Sequence, residues 1–135
     1  MAALTANREL RHTATGPEIA FPVLTATHIY KGSLVGLSGG YARGLVANDV
    51  FVGIAAEECN NAGASAAKYV RVYSGGDFIH TYAGVAVTTV GGVVDADNSG
   101  DVVVHGAGSL CGAVLRYEAA DTALIRFIPT GCFNT

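Results

Sequence analysis

The feature that most restricts this chain is the length of its apolar runs. They are short, rich in β-branched and aromatic residues, and each ends at glycine or a small polar pair. "SLVGL", "YVRVY", "DFIHTY" and "DVVV" are each a strand long and too short for an independent helix. In "YVRVY" the residues Tyr69, Arg71 and Tyr73 alternate with Val70 and Val72, the period of two that gives a strand one buried face. Phe78, His80 and Tyr82 share a face by the same spacing. "SGGY" after "SLVGL" predicts a Gly-Gly turn, and "EAADT" separates two strands near the C-terminus. The 18 glycines follow no period, so they read as turn and bulge residues rather than a repeat. "AAEECNNAGASAAK" is Ala-rich but broken at "NNAG", which leaves room for at most one helical turn, with "CNNAGAS" as a loop. Residues 23–135 are therefore expected to form a mainly β body, a compact small β-barrel or β-sandwich.

Residues 1–22 read differently. Arg8, Glu9, Arg11 and His12 precede the Thr-rich "HTATG", with prolines at Pro17 and Pro22, and neither period runs through the segment. "ANREL" could form one turn of helix, marginal on its own. The expectation is an extended N-terminal arm, ordered only where it has a surface to lie on.

The stretch "VVDADNSGDVVV" is the most chemically suggestive. An EF-hand loop needs oxygen ligands at positions 1, 3 and 5, glycine at 6 and a bidentate glutamate at 12. Asp95, Asp97, Ser99 and Gly100 fill the first half, but position 12 falls on Gly106, and residues 102–109 hold no carboxylate. Asp-Asn-Ser-Gly between two valine-rich runs suits a strand-connecting turn, because Asn and Gly tolerate positive φ. A turn is expected here, and no metal. The histidines His12, His28, His80 and His105 are scattered without H-x-H or H-x-x-x-H spacing. Cys59, Cys111 and Cys132 are odd in number, widely spaced and without C-x-x-C, which predicts free thiols rather than a disulfide framework or zinc site. The Gly-rich "SLVGLSGG" and "GAGSLCG" lack a phosphate loop's Lys-[Ser/Thr], and G-x-S-x-G is absent. No catalytic residue, cofactor or enzymatic activity is expected. Tyr69, Tyr73, Phe78 and Tyr82 could offer a stacking platform for single-stranded nucleic acid, but only Lys68 and Arg71 accompany them, so a packed aromatic stripe is the expectation.

Eight Lys and Arg against eleven Asp and Glu, a net charge of −3, leave no basic footprint for nucleic acid. No polybasic run, bilayer-length apolar stretch or secretory h-region is present, so no membrane partner is expected and synthesis in a cytoplasm is the default. With half the residues hydrophobic, 14% charged and a mean hydropathy of +0.39, some apolar surface is expected in a subunit interface. A homo-oligomeric β-barrel binding module or adhesin-type domain is one reading of such a chain.

Two groups of residues carry a more specific likeness. "RHTATGP" at 11–17, followed by a strand-rich body containing "FVGIAAEE" at 51–58, resembles the arm and body of the lambda-type head decoration protein. The order "VRVYSGG", "GVVDADNSGDVVV", "CGAVL" and "ALIRFI" is similar to the capsid-cement pattern of strand, glycine, polar turn and final alternating strand. The chain thus resembles the head decoration (cement) proteins of tailed bacteriophages. That resemblance implies a β-tulip-like body and no enzymatic activity. It implies a partner, the major capsid protein, and a homotrimer at three-fold and quasi-three-fold sites on the outer surface of the expanded virion capsid. There the shell would be held against internal DNA pressure. It also implies that the arm residues Arg8, Glu9, Arg11, His12, Thr13, Ala14 and Thr15 contact the capsid.

Overall fold

A computed structural model describes residues 3–100, 102–106 and 108–129, apart from the side chains of His12, Thr13 and Val104. The described residues run through thirteen strands. The first five are β1 (His12–Thr15), β2 (Glu18–Pro22), β3 (Thr27–Ile29), β4 (Leu34–Ser38) and β5 (Tyr41–Gly44). Then come β6 (Val50–Ala55), β7 (Cys59–Asn61), β8 (Tyr69–Tyr73) and β9 (Gly76–Thr81). After a single 3₁₀ turn at Val87–Thr89 follow β10 (Val93–Ala96), β11 (Val102–Val104), β12 (Ser109–Ala119) and β13 (Thr122–Phe127). The mainly β, compact body expected from the runs is what the chain forms.

Six strands build one antiparallel sheet in the order β1-β9-β13-β12-β10-β11, and five build a second in the order β2-β8-β6-β4-β5. A two-stranded ribbon pairs β3 with β7. Each large sheet curls. Tyr82, just past β9, bridges Val102 of β11, and Val23, just past β2, bridges Ala42 of β5. Each contact is one isolated bridge, so the sheets curl without closing and β1 keeps an outer edge among the described residues.

Two hydrophobic clusters result. Phe78, Cys111, Val114, Ile125 and Phe127 of the six-stranded sheet pack on Leu34, Phe51 and Ile54 of the five-stranded one. On the opposite face of the five-stranded sheet, Val35, Val52, Val70 and Val72 pack with Ile29 and Cys59 of the ribbon. β6 therefore lies between two cores, which explains why "VFVGIA" is a continuous apolar run rather than an alternating one. A bulge at Val52, opposite Val35 and Gly36, lets Phe51 and Ile54 face the same core although three residues apart. Gly53 is indispensable to that bulge. Its φ is +146°, and a Cβ there would stand 2.0 Å from the Tyr73 carbonyl oxygen of the neighbouring strand.

Local readings and structure agree at several points. β8 buries Val70 and Val72 and exposes Tyr69 and Arg71. The "SGGY" turn joins β4 to β5, with φ of +59° at Gly39 and +90° at Gly40, the two positive values a type I′ hairpin turn requires. "CNNAGAS" differs from the expected loop, because its first three residues form β7. Asn61, a loop breaker by composition, is buried. Its Nδ2 donates to the carbonyls of Val23, Leu24 and Ala64, and its Oδ1 accepts from the Gly63 N–H. The amide serves as a four-way tie between strands, a role composition does not reveal.

Residues 3–22 are extended, and the surface they lie on is the body of their own chain. β1 pairs with β9 through His12 opposite Phe78, Ala14 opposite Asp77 and Thr15 opposite Gly76. β2 pairs with β8 along its whole length, from Glu18 opposite Tyr73 to Pro22 opposite Tyr69. Both are outermost strands. Pro17 at their junction lacks an N–H to donate, but its carbonyl accepts from the Ser74 N–H.

Candidate functional site

The turn at 97–100 follows β10 and leads towards β11, and their register sets Val94 opposite Val104 and Ala96 opposite Val102. Asn98 Oδ1 accepts from the Gly100 N–H at 2.7 Å, a local bond that shapes the turn. Asp95 is buried and fully engaged. One carboxylate oxygen meets His105 Nδ1 at 2.8 Å, and the other accepts from the Gly106 and Gly108 N–H groups. Its oxygens thus brace the following loop rather than opening towards a cation. Among the described residues no three His, Cys, Asp or Glu side chains converge as metal ligands. Asp101 lies outside the described residues.

The N-terminal segment clamps this turn. Leu4 N–H donates to Ser99 Oγ at 3.0 Å, and Ser99 itself is buried, its carbonyl accepting from Leu34 N–H. Arg8 Nη1 donates to the Gly100 carbonyl at 2.7 Å and lies 3.4 Å from His80 Nε2. The Arg8 backbone is fixed by its N–H to the Lys31 carbonyl, and it lies so close to Gly32 that a Cβ there would stand 2.9 Å from Arg8 Cβ. His80 Nδ1 faces the Thr81 carbonyl at 3.1 Å, so Nδ1 carries the proton and Nε2 accepts from Arg8. Burial pushes the imidazole down to about 4, helped by the Arg8 charge and opposed by the Thr81 carbonyl. His80 is therefore a neutral acceptor at pH 7, and Arg8 has no carboxylate partner among the described residues.

The remaining residues singled out in the sequence are dispersed. Glu9 is exposed, its carboxylate 3.8 Å from Lys31 Nζ. Arg11 is exposed, and its carbonyl accepts from the Ile79 N–H at 2.7 Å. His12, Ala14 and Thr15 are paired in β1, Thr13 is the bulge residue between His12 and Ala14, and Ala14 and Thr15 are exposed. The side chains of His12 and Thr13 lie outside the described ones. His28 stacks on Tyr30 and bonds Glu58 Oε2 at 2.6 Å. Glu58 also accepts from the Asn7 amide, and these two contacts, Asn7 first, hold its carboxyl below the usual range.

Cys59 and Cys111 are buried and not joined to one another, and Cys132 lies outside the described residues. Burial raises both described thiols, Cys111 furthest, the reverse of what an activated nucleophile needs. The four aromatic residues form no platform. Tyr69 is exposed, while Phe78 and Tyr82 are in the core and Tyr73 packs against its edge. No helix among the described residues is long and apolar enough to cross a membrane.

A cleft of about 150 Å³ is lined by Arg8, Glu9, Arg11, Ile79, His80, Thr81 and Thr122. Sequence reading places Arg8, Glu9 and Arg11 in the arm and His80 on a strand face, and does not bring the four together. Comparison with protein-family models and with curated proteins found no match to the chain.

Proposed function

We propose that this chain is a structural virion protein that binds the outer surface of the expanded capsid of a tailed bacteriophage. It acts as trimers at three-fold and quasi-three-fold sites and stabilises the shell against internal DNA pressure. Its partners are the major capsid protein and further copies of itself. The observation that carries the reading is the position of "HTAT", the segment on which the resemblance rests. It forms β1, the outermost strand of the six-stranded sheet, with β9 on one side only. An outermost strand offers backbone donors and acceptors that an edge of the capsid protein can extend by β-augmentation. Glu9 and Arg11 are the exposed charged residues beside it and supply charge-assisted contacts, whereas Arg8 is turned inward. Val93 and Leu110, exposed on the outer faces of β10 and β12, favour self-association. Modest binding per copy, repeated over a closed lattice, gives a large total effect.

The test is co-sedimentation with expanded and unexpanded shells. Thr13→Pro removes one backbone donor at a bulge, where proline is tolerated, and Thr13→Ala keeps the donor. Both variants should melt near wild type. Thr13→Pro should bind expanded shells more weakly than Thr13→Ala, and all should bind unexpanded shells poorly. Failure of the wild-type protein to sediment with either shell overturns the reading. Equal binding by the two variants overturns the role of β1.

A further inference from the structure

The chain contains six arginines outside its undescribed termini, and four of them are neutralised by a carboxylate. Arg43 pairs with Asp49, Arg71 with Glu18 and Glu57, Arg116 with Glu118 and Arg126 with Asp77. The two that have no carboxylate partner among the described residues, Arg8 and Arg11, line the same cleft. In a chain of net charge −3 that sets two arginines at one small concavity, against Glu9 as the acidic residue of its lining.

The site is built rather than incidental. Arg8 is held at its backbone by Lys31, at Nη1 by the Gly100 carbonyl, and along its stem by the space Gly32 leaves. Its guanidinium is therefore pre-positioned on the cleft lining, and its Nε and Nη2 make no hydrogen bond to a described residue. Arg11 is fixed at its backbone by Ile79, and its exposed guanidinium bonds no described residue. Thr81 and Thr122 stand opposite each other across the β9–β13 pair and add two hydroxyls to the lining.

We propose that this cleft is a receptor for a single carboxylate group, bound in the planar fork of Arg8 and Arg11 with the threonine hydroxyls as further donors. A guanidinium fork matches a carboxylate bidentately. The volume of about 150 Å³ holds a carboxylate together with the carbon atoms that carry it. Glu9, 88% exposed and also on the lining, adds a negative charge that disfavours a dianion such as phosphate over a monoanion. The open rim suits the acidic side chain of a protein partner. This inference requires no capsid and stands or falls separately from the proposed function.

The experiment is titration of the isotopically labelled full chain, following the side-chain Nε–H signals of Arg8 and Arg11 by NMR. Acetate, a blocked glutamate-containing peptide, inorganic phosphate and chloride are compared at constant ionic strength. Saturable shifts at both arginines are expected with acetate and peptide, at least about tenfold weaker or absent with phosphate and chloride. Arg11→Gln alters an exposed side chain that bonds nothing described. It should keep the wild-type melting midpoint and lose most of the affinity. Tighter binding of the peptide than of acetate assigns the cleft to a partner's acidic side chain, and the reverse order assigns it to a free small carboxylate and overturns the partner assignment. Linear, non-saturating shifts shared with chloride, or phosphate binding as tightly as acetate, overturn the proposal.

Discussion

His80 is the residue whose chemistry depends most on its surroundings. Folded, it stays neutral down to about pH 4, whereas an unfolded histidine protonates near 6.5. Between those values the unfolded chain binds more protons, so the stability His80 contributes is complete above pH 6.5 and is lost as pH falls towards 4. From pH 7 to pH 5 the loss is about 2 kcal/mol. His80→Gln keeps a neutral acceptor for Arg8 but does not titrate. Urea unfolding at the two pH values should show the variant losing about 2 kcal/mol less than wild type over the interval. Equal losses would show that other groups govern the acid sensitivity. Glycine gives a second contrast at this scale. Gly53→Ala places a methyl against the Tyr73 carbonyl in a backbone conformation L-residues avoid, and should cost more than about 3 kcal/mol. Gly39→Ala, at an exposed turn with nothing near its Cβ, should cost only about 1 kcal/mol. Urea midpoints rank the two, and similar midpoints would refute the close approach of β6 and β8.

Strands β1 and β2 carry the clearest consequence among the elements. Sequence reading treats residues 1–22 as separable from the body, so that deleting 1–20 would remove no strand. The structure revises this, because the deletion strips β1 from one sheet and most of β2 from the other, leaving β8 and β9 unpaired on one side. Deleting residues 1–20 should lower the far-UV CD melting midpoint by at least about 10 °C. Deleting only 1–7 removes the Leu4 and Asn7 side contacts and should lower it by much less. An unchanged midpoint for the longer deletion would return the segment to the status of a free arm. The contrast shows where a sequence is legible. Val70 and Val72 declare β8 through alternation, Gly39-Gly40 declares a turn through local φ preference, and Asn98 declares one through its side-chain bond to the Gly100 N–H, because those signals lie within a few neighbouring residues. "HTAT" and "EIAFP" have no buried alternating face, and their pairing with β9 and β8 depends on partners far along the chain. Arg8 and His80 are 72 residues apart, so neither the clamp nor the cleft beside it leaves a mark on local pattern. Asp95 was visible as a carboxylate in a polar loop, but its inward engagement depends on the 105–108 backbone folding over it.

At the scale of the whole molecule, the two hydrophobic clusters are not two folding units. They occupy opposite faces of the same strands. Leu34 and Val35 are neighbours in β4 yet belong to different clusters, as do Phe51 and Val52 in β6. Loss of either cluster removes the surface on which the other is built, and β6 cannot leave one without leaving both. Unfolding should therefore be a single cooperative transition, as expected of a small domain with shared strands. Two substitutions place a defect in each cluster separately. Ile54→Val removes one buried methyl from the cluster between the large sheets and should cost about 1 kcal/mol. Val52→Ala acts on the cluster beneath the ribbon and should cost about 2 kcal/mol. The positions adjoin in β6, and their effects need not add. Each variant should nevertheless shift the entire urea transition, followed by far-UV CD and by tyrosine fluorescence, with the two probes coincident and the slope unchanged. A second transition in Val52→Ala, with fluorescence and CD separating, would mean that the ribbon and its cluster unfold alone. The shared strands would then fail to couple the two faces.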